Sequence, residues 1–479
     1  MIQSFIHSSE NANLYLYDDQ SRLSTLVHPE FVKAYEQSND ADSYYLKKVA
    51  YLERHGFFAK PKFTDFIPLE ESIVMDNIIN TQQIVFEVTD SCNLKCRYCA
   101  LGELYDGVDE RIGKKINTRY AINLLKFIFS IKPKNKNNKL TISFYGGEAL
   151  LNMNFIKRIV EVTNKLNAEK KMEIQYTMTT NATLIHKHID FLVANKFSLL
   201  VSLDGNEENH SYRVFSKNNK NSFQKVIENL DIVQKDYSEY FSTHVNFNAV
   251  LHNRNSIKDI YKFIYTRYNK IPRIAELNLT NIRLDNKDIL YSMFHSKRKS
   301  EAEFQKEESD LSRITHSELS LYRDLTNFLK YNSVNFYISN VNALFPLTEK
   351  YLPTGTCSPF SKKIFLTNRN KLLPCEKINY KFSMGNVKEN VAIDISEITR
   401  QYNFYFEHIK KFCQTCYTYR ICGVCIFNIN NIDNVDADDF VCNQYQDQKV
   451  YKNILHRIFS FLEKYPNDFS EILENVITG

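Results

Sequence analysis

Short apolar, β-branched and aromatic runs alternate with longer stretches of helical apolar spacing through the middle of this chain. Ile84–Val88 reads as a strand and leads, after a loop, to an amphipathic run at Arg119–Ile131. Leu140–Phe144 precedes a helical stretch at Asn154–Leu166, and Glu173–Met178 precedes another at Ile185–Asn195. Ser198–Leu203 runs into Asp204-Gly205, while His244–Val250 and Glu276–Thr280 read as two further strands with Ile257–Tyr268 helical between them. This rhythm predicts parallel strands with crossover helices, hence an α/β sheet or partial barrel. Ligands of such folds bind at the carboxyl ends of the strands, so the loops that follow these strands are expected to converge on one face.

The flanks read differently. NLYLYDDQSRLSTL alternates around Asp18-Asp19-Gln20 as a hairpin does, and Glu30–Gln37 and Ser43–His55 have helical spacing. Residues 285–315, with HSKRKSEAEFQKEESD, form a charged bridge, an exposed helix or linker. Gln448–Lys464 has helical apolar spacing again. No internal repeat is present beyond a recurring CxxC spacing near the C-terminus.

Composition narrows the class. The 479 residues are 43% hydrophobic, with 34 Phe and 30 Tyr but no Trp, which suits a globular protein of two or three domains. No apolar run approaches the roughly 18 residues of a membrane span, and the N-terminal residues lack a secretory pattern. Ten cysteines without an export signal point to a cytoplasmic protein and metal ligation rather than disulfides. A net charge of +5 is compatible with an acidic peptide and gives no argument for nucleic acid.

Three of those cysteines, Cys92, Cys96 and Cys99, lie in DSCNLKCRYC directly after the first strand. Three thiolates fit a four-iron cube with one iron left to another ligand, since such a cube is normally held by four cysteines. The triplet alone leaves a zinc or structural site open, although the nearest downstream histidines, His186 and His188, are far off in sequence.

This CxxxCxxC segment resembles the radical S-adenosylmethionine (SAM) enzymes. The resemblance implies a partial (β/α)6 TIM-like barrel and a [4Fe-4S] cluster whose open iron is chelated by SAM. It also implies reductive cleavage to a 5′-deoxyadenosyl radical that removes a substrate hydrogen atom. Tyr145-Gly146-Gly147-Glu148 resembles the family's GGE motif, in which the loop binds the SAM amino group. By itself GGE is also a tight strand–helix turn with a carboxylate in the first helical turn. Thr179-Thr180-Asn181 resembles the third-strand loop, with Ala182 where glycine is common, and Ser202-Leu203-Asp204-Gly205 resembles the fourth-strand element, whose hydroxyl and carboxylate groups are expected to reach the SAM ribose and carboxylate. Arg213 is similar to a family arginine near the SAM carboxylate, a contact suited to a guanidinium. Tyr98, between two cluster ligands, is expected to shield cluster and adenine or to be ordinary core, and strand-end Thr, Asn and Ser also serve as helix caps and turns.

The other seven cysteines are Cys357, Cys375, Cys413, Cys416, Cys422, Cys425 and Cys442. FCQTCYTYRICGVC alone suits a zinc ribbon, but seven ligands do not divide into zinc tetrads. They resemble the SPASM extension, which houses two auxiliary [4Fe-4S] clusters. That resemblance assigns Cys413, Cys416, Cys422 and Cys442 to an outer cluster and Cys357, Cys375 and Cys425 to an inner one with an eighth ligand unassigned. Cys422 and Cys425 stand one residue closer than usual in the family. Asn370 replaces a frequent glycine and is the next best residue for left-handed backbone.

The organisation expected is an accessory α+β domain over residues 1–80, read as a leader-peptide recogniser or as a structural cap on the barrel. A core over 81–284, a bridge over 285–349, a SPASM domain over 350–445 and a C-terminal helix and tail over 446–479 follow. The resemblance implies a maturase that crosslinks or oxidises a ribosomally made precursor peptide, with flavodoxin or ferredoxin as electron donor, no nucleic acid and no membrane. Two other readings are an anaerobic sulfatase-maturing enzyme and a non-catalytic Fe–S carrier.

Overall fold

The computed structural model describes residues 2–59, 66–134, 138–307, 320–333 and 354–466. Packing divides the chain into two units, one of Leu69–Asp310 and Cys357–Tyr402, the other of Met1–Pro68, Leu311–Thr356 and Asn403–Gly479. The sequence reading had set residues 1–80 apart as a domain of their own. Parts of the expected bridge (308–319 and 334–349) and the tail (467–479) lie outside the described residues.

The larger unit is built on six parallel strands in sequence order: β1 (Gln83–Thr89), β2 (Lys139–Gly146), β3 (Glu173–Thr180), β4 (Ser198–Ser202), β5 (Val245–Leu251) and β6 (Arg273–Glu276). Helices α1 (Thr118–Ile131), α2 (Met153–Lys170), α3 (Ile189–Ala194), α4 (Phe223–Asp236) and α5 (Ile257–Tyr268) lie in the crossovers. This is the expected α/β architecture. Beyond β1 the sheet continues with β7 (Ile364–Leu366), parallel to it, and then antiparallel through β8 (Lys371–Leu373), β9 (Gly385–Val387) and β10 (Val391–Ile393).

Alternation along the strands separates the faces, as the two-residue period requires. Phe86 of β1 packs against Phe144 of β2 and Phe155 of α2, at ring separations of 6.3 and 5.7 Å. From the other set of positions, Gln83 donates to the Ser143 hydroxyl at 2.6 Å, which pairs with the Thr177 hydroxyl at 2.6 Å. A polar line thus crosses three strands inside the sheet.

Two element expectations need correction. The sixth strand lies at Arg273–Glu276, not Glu276–Thr280, because the Asn278 side chain accepts from both the amide and the hydroxyl of Thr280 and turns the chain. The helix expected at Ile185–Asn195 is a 3-10 turn, Ile185–Lys187, followed by the short α3.

In the smaller unit, strands Phe5–Ser8, Leu14–Asp18 and Leu23–Val27 form an antiparallel sheet that includes the anticipated hairpin. Helices Pro29–Tyr35 and Ser43–Arg54 follow, and Leu16, Phe31, Ala34 and Val49 close a small core. Phe5, Tyr17, Cys416, Tyr417, Tyr451 and Leu455 share a second core, so the first strands pack with the cysteine-rich segment and with the helix Gln448–Lys464. Among the described residues no helix is long and apolar enough to cross a membrane.

Candidate functional site

The cysteine loop leaves β1 at its carboxyl end. Cys92 lies in the loop, Cys96 closes a short strand Leu94–Cys96 that pairs with Arg213–Phe215, and Cys99 follows in a turn closed by its amide to the Cys96 carbonyl at 3.1 Å. All three thiols are free and half-buried. Burial pushes Cys92 up to about 11 and Cys96 to about 12, and the neighbouring cysteines of the triplet push each the same way. Thiols that disfavour one another's ionisation at close quarters are the donor set a cationic iron cluster offsets. The Leu94 amide and the Asn181 amide side chain both face the Cys92 sulfur, at 3.4 and 3.8 Å.

The glycines of the GGE loop explain how β2 meets this loop. Gly146 has φ of 128°, and a Cβ there would come 2.4 Å from the Thr89 carbonyl oxygen. At Gly147 it would come 2.0 Å from the Ser91 carbonyl oxygen. Without side chains, the Gly147 amide donates to Thr89 at 2.8 Å and the Glu148 amide to Ser91 at 2.9 Å. The residues present therefore fit a cluster on the triplet beside the GGE loop.

Glu148 is buried, and its carboxylate accepts from the Leu150 amide at 3.1 Å, the Thr180 hydroxyl at 2.8 Å and the Asn181 amide at 2.8 Å. Burial raises its carboxyl above the ordinary range, with these donors opposing. The Asn181 side chain bridges strand ends, donating to Asn93 at 2.9 Å and accepting from the amide and hydroxyl of Thr183. Ala182, where glycine is common, sits at φ 59°, in the left-handed region that favours glycine. Ser202 ends β4 half-buried.

Asp204, Arg213 and Tyr98 come together, but on one another. Arg213 grips Asp204 through Nε at 2.8 Å and Nη2 at 2.9 Å, the Val250 amide donates at 2.9 Å, and the Tyr98 hydroxyl donates to Oδ2. Burial alone would raise Asp204, yet the Arg213 charge and His252 hold it well below the usual carboxylate range. Its lone-pair sites are filled from the protein, which leaves none for a ribose hydroxyl. The Tyr98 ring is buried against His252 and Tyr212, at 5.4 and 6.2 Å between ring centres.

Sequence reading missed Glu87, the one charge in the run IVFEV. It is buried and accepts from the Asn368 amide at 3.0 Å and the Tyr380 hydroxyl at 3.1 Å. Burial pushes it up to about 7, Asp109 and Asp90 adding to the effect. Its cross-strand partner is Tyr145, and it lines a cavity of about 10 Å³ with Asp90, Asp109, Arg111 and Asn368. That is room for about one water. A lone acid in an apolar strand was the available signal.

In the smaller unit, burial raises Cys413, and Cys422, Cys416 and Cys442 raise it further, so the four assigned to the outer cluster are neighbours. The Gln446 amide faces the Cys416 sulfur at 3.5 Å. Gly355 donates to the Val424 carbonyl at 2.9 Å, and a Cβ on it would lie 2.5 Å from the Gly423 backbone, so the shortened Cys422–Cys425 loop is closely backed. Of the inner set, Cys357 and Cys375 belong to the larger unit and Cys425 to the smaller. Asn370 has φ of 68°, as its place in the β7–β8 turn predicts. Among the described residues no three His, Cys, Asp or Glu side chains gather tightly enough for a single metal ion.

Residues 86–264 match the profile of the Radical SAM superfamily. The chain is 25% identical over 249 residues to the radical SAM cyclopropyl synthase TigE of Paramaledivibacter caminithermalis, covering 50% of this chain and 46% of that protein. It is 31% identical over 183 residues to the cysteine-type anaerobic sulfatase-maturating enzyme of Clostridium novyi, covering 38% and 46%. The chain spans about half the length of these two relatives. Among solved structures it resembles native anSMEcpe with bound AdoMet and Cp18Cys peptide, at 18% identity and a TM-score of 0.53 over 83% of this chain and 100% of that one, a likeness of fold. Residues 86–264 thus carry a radical SAM domain, and the chain is similar to anaerobic sulfatase maturases and to a radical SAM cyclopropyl synthase.

Proposed function

We propose that this protein is a cytoplasmic radical SAM/SPASM maturase that modifies a ribosomally made precursor peptide. The observation that carries the reading is the gathering of the cysteine triplet, Gly146-Gly147-Glu148, Asn181 and Ser202 at the carboxyl ends of consecutive parallel strands. When bound, the cluster and SAM supply a 5′-deoxyadenosyl radical able to take a hydrogen atom from a peptide carbon. The chain's own residues hold and orient. Cys92, Cys96 and Cys99 ligate the iron, and Gly146 and Gly147 let the backbone reach the ligand. Glu148, Asn181 and Ser202 surround the SAM head group, with the Tyr98 ring closing off water on the cluster side. Cys413, Cys416, Cys422 and Cys442 hold the outer auxiliary cluster. The partner is the precursor peptide, with flavodoxin or ferredoxin supplying electrons.

The N-terminal sheet supports a peptide-binding role. Among the described residues Leu23–Val27 is an edge strand with Leu26 exposed, and Tyr44, Leu46 and Tyr51 of the helix Ser43–Arg54 are exposed as well. Such an edge with exposed apolar side chains in the same unit suits addition of an extended leader segment as a further strand.

A second reading, an anaerobic sulfatase-maturing enzyme, is favoured by the alignment with the cysteine-type enzyme of Clostridium perfringens, 22% identical over 374 residues and 94% of that protein's length. The N-terminal extension and the seven-cysteine tail weigh toward the first. Anaerobically reconstituted protein given SAM and dithionite is expected to release 5′-deoxyadenosine; none would leave only the Fe–S carrier. Co-expression with short peptides encoded beside it, followed by mass spectrometry, separates a crosslink from conversion of Cys or Ser to formylglycine.

A further inference from the structure

The backbone of Arg213 is fixed on two sides. Its backbone pairs with Cys96 across the short ladder, and its carbonyl is held by the Ser222 amide at 3.0 Å and hydroxyl at 2.8 Å. Ser222 is in turn paired with the His210 ring at 3.1 Å. Two of the three guanidinium nitrogens, Nε and Nη2, are spent on Asp204. The third, Nη1, points at the Cys96 sulfur at 4.0 Å. The side chains of Arg213 and Asp204 are 8% and 0% exposed, so little water screens the charge. The guanidinium lies 5.4 Å from the centre of the Tyr98 ring, whose hydroxyl completes the Asp204 shell.

Resting on the reading that the triplet holds a four-iron cluster, we propose that Asp204 and Arg213 form an outer-sphere pair that sets that cluster's reduction potential, Asp204 fixing Arg213 as a cation at the Cys96 sulfur. Reduction adds negative charge to the cluster. A buried cation at one ligand favours the reduced state, and the carboxylate behind it moderates the effect. Both are positioning residues here, and the effect exists before any SAM arrives.

The test is a redox titration of the full-length reconstituted chain without SAM, following the signal that disappears in Cys96→Ala. Arg213→Gln should lower the midpoint potential. Asp204→Asn, which leaves the guanidinium uncompensated, should raise it. Opposite signs distinguish an electrostatic pair from loosened packing, which has no reason to move the two variants apart. Tyr98→Phe, which removes one donor from Asp204 and keeps both charges, serves if Asp204→Asn fails to load iron: it should move the potential less than Arg213→Gln does, and a shift as large would overturn the electrostatic pair. With SAM and limiting reductant, Arg213→Gln should form 5′-deoxyadenosine roughly 10–100-fold more slowly, the usual range for outer-sphere changes at metal centres. A wild-type midpoint in SAM-free Arg213→Gln, or shifts of one sign in both charge variants, overturns the proposal. Absence of the signal from the wild-type protein would instead sink the reading of the triplet itself.

Discussion

The triplet of the larger unit and the quartet of the smaller one solve the same ligand problem in different ways. Around Cys92, Cys96 and Cys99 the neighbours are polar and aimed: Asn181 and the Leu94 amide at one sulfur, Arg213 at another, with two glycines bringing the next strand onto the loop. In the quartet, Cys416 lies in a core with Tyr417, Tyr419, Tyr451 and Leu455, and its sulfur is met by the neighbouring Thr418 hydroxyl at 3.4 Å and the Gln446 backbone amide at 3.5 Å. On the proposed assignment the three-thiol site leaves one vertex for an exchangeable ligand, and side chains from neighbouring strands stand beside it. The four-thiol site is complete, and local hydroxyl and backbone contacts within an apolar core serve it.

The sharpest way to break this contrast is to remove one ligand from each. Cys96→Ala should abolish 5′-deoxyadenosine formation while leaving auxiliary iron in place, measured by iron content and product analysis. Cys413→Ala should lose about one cube's worth of iron yet keep uncoupled SAM cleavage. If either variant shows the other's phenotype, the division of labour is wrong.

Glu87 tests whether polar cost is concentrated in the larger unit. Its carboxyl is raised to about 7 by burial, so the fold prefers it protonated. The stability it contributes is present below the unfolded carboxyl range and declines as pH rises toward 7, by roughly 3–4 kcal/mol in all. Glu87→Gln should flatten that decline and, with both compared as apo-proteins, make the variant more stable than wild type at pH 8, read by chemical denaturation at several pH values. An unchanged slope would show the charge is accommodated some other way.

Smallest is Ala182→Gly, at φ 59°. The left-handed strain of an alanine and the chain entropy of a glycine oppose one another, leaving a gain of up to about 1 kcal/mol. A loss would mean that the Ala182 methyl group packs to more effect than its backbone strains.

Much of this contrast was readable before any coordinates. Strand periodicity placed five of the six parallel strands, and motif position after each strand placed the loops at one end. Asn370 announced left-handed backbone because it stands where glycine is usual, whereas Ala182 was noted only as a departure from glycine. The sixth strand shifted because an asparagine turn outcompeted an apolar run. Pairing within the site was not legible: nothing in HSYRVF says that Arg213 will close on Asp204 rather than on a ligand, since that depends on strands meeting in space. Nor was the grouping of residues 1–68 with 403–479, which rests on contacts hundreds of positions apart.

Those contacts set an order of events. The Ser8 carbonyl meets the His456 ring at 2.7 Å, the Glu10 amide donates to Ser460 at 2.9 Å, and the Tyr15 hydroxyl to Glu463 at 2.6 Å. The Gln3 amide reaches the Tyr417 hydroxyl, within the cysteine-rich segment, at 2.9 Å. During synthesis the opening hairpin leaves the ribosome long before its packing partners exist, while the parallel strands β1–β6 are all complete by residue 276. The quartet's housing can close only once Gln448–Lys464 has emerged, so on the proposed assignment iron reaches it after the six parallel strands have been made.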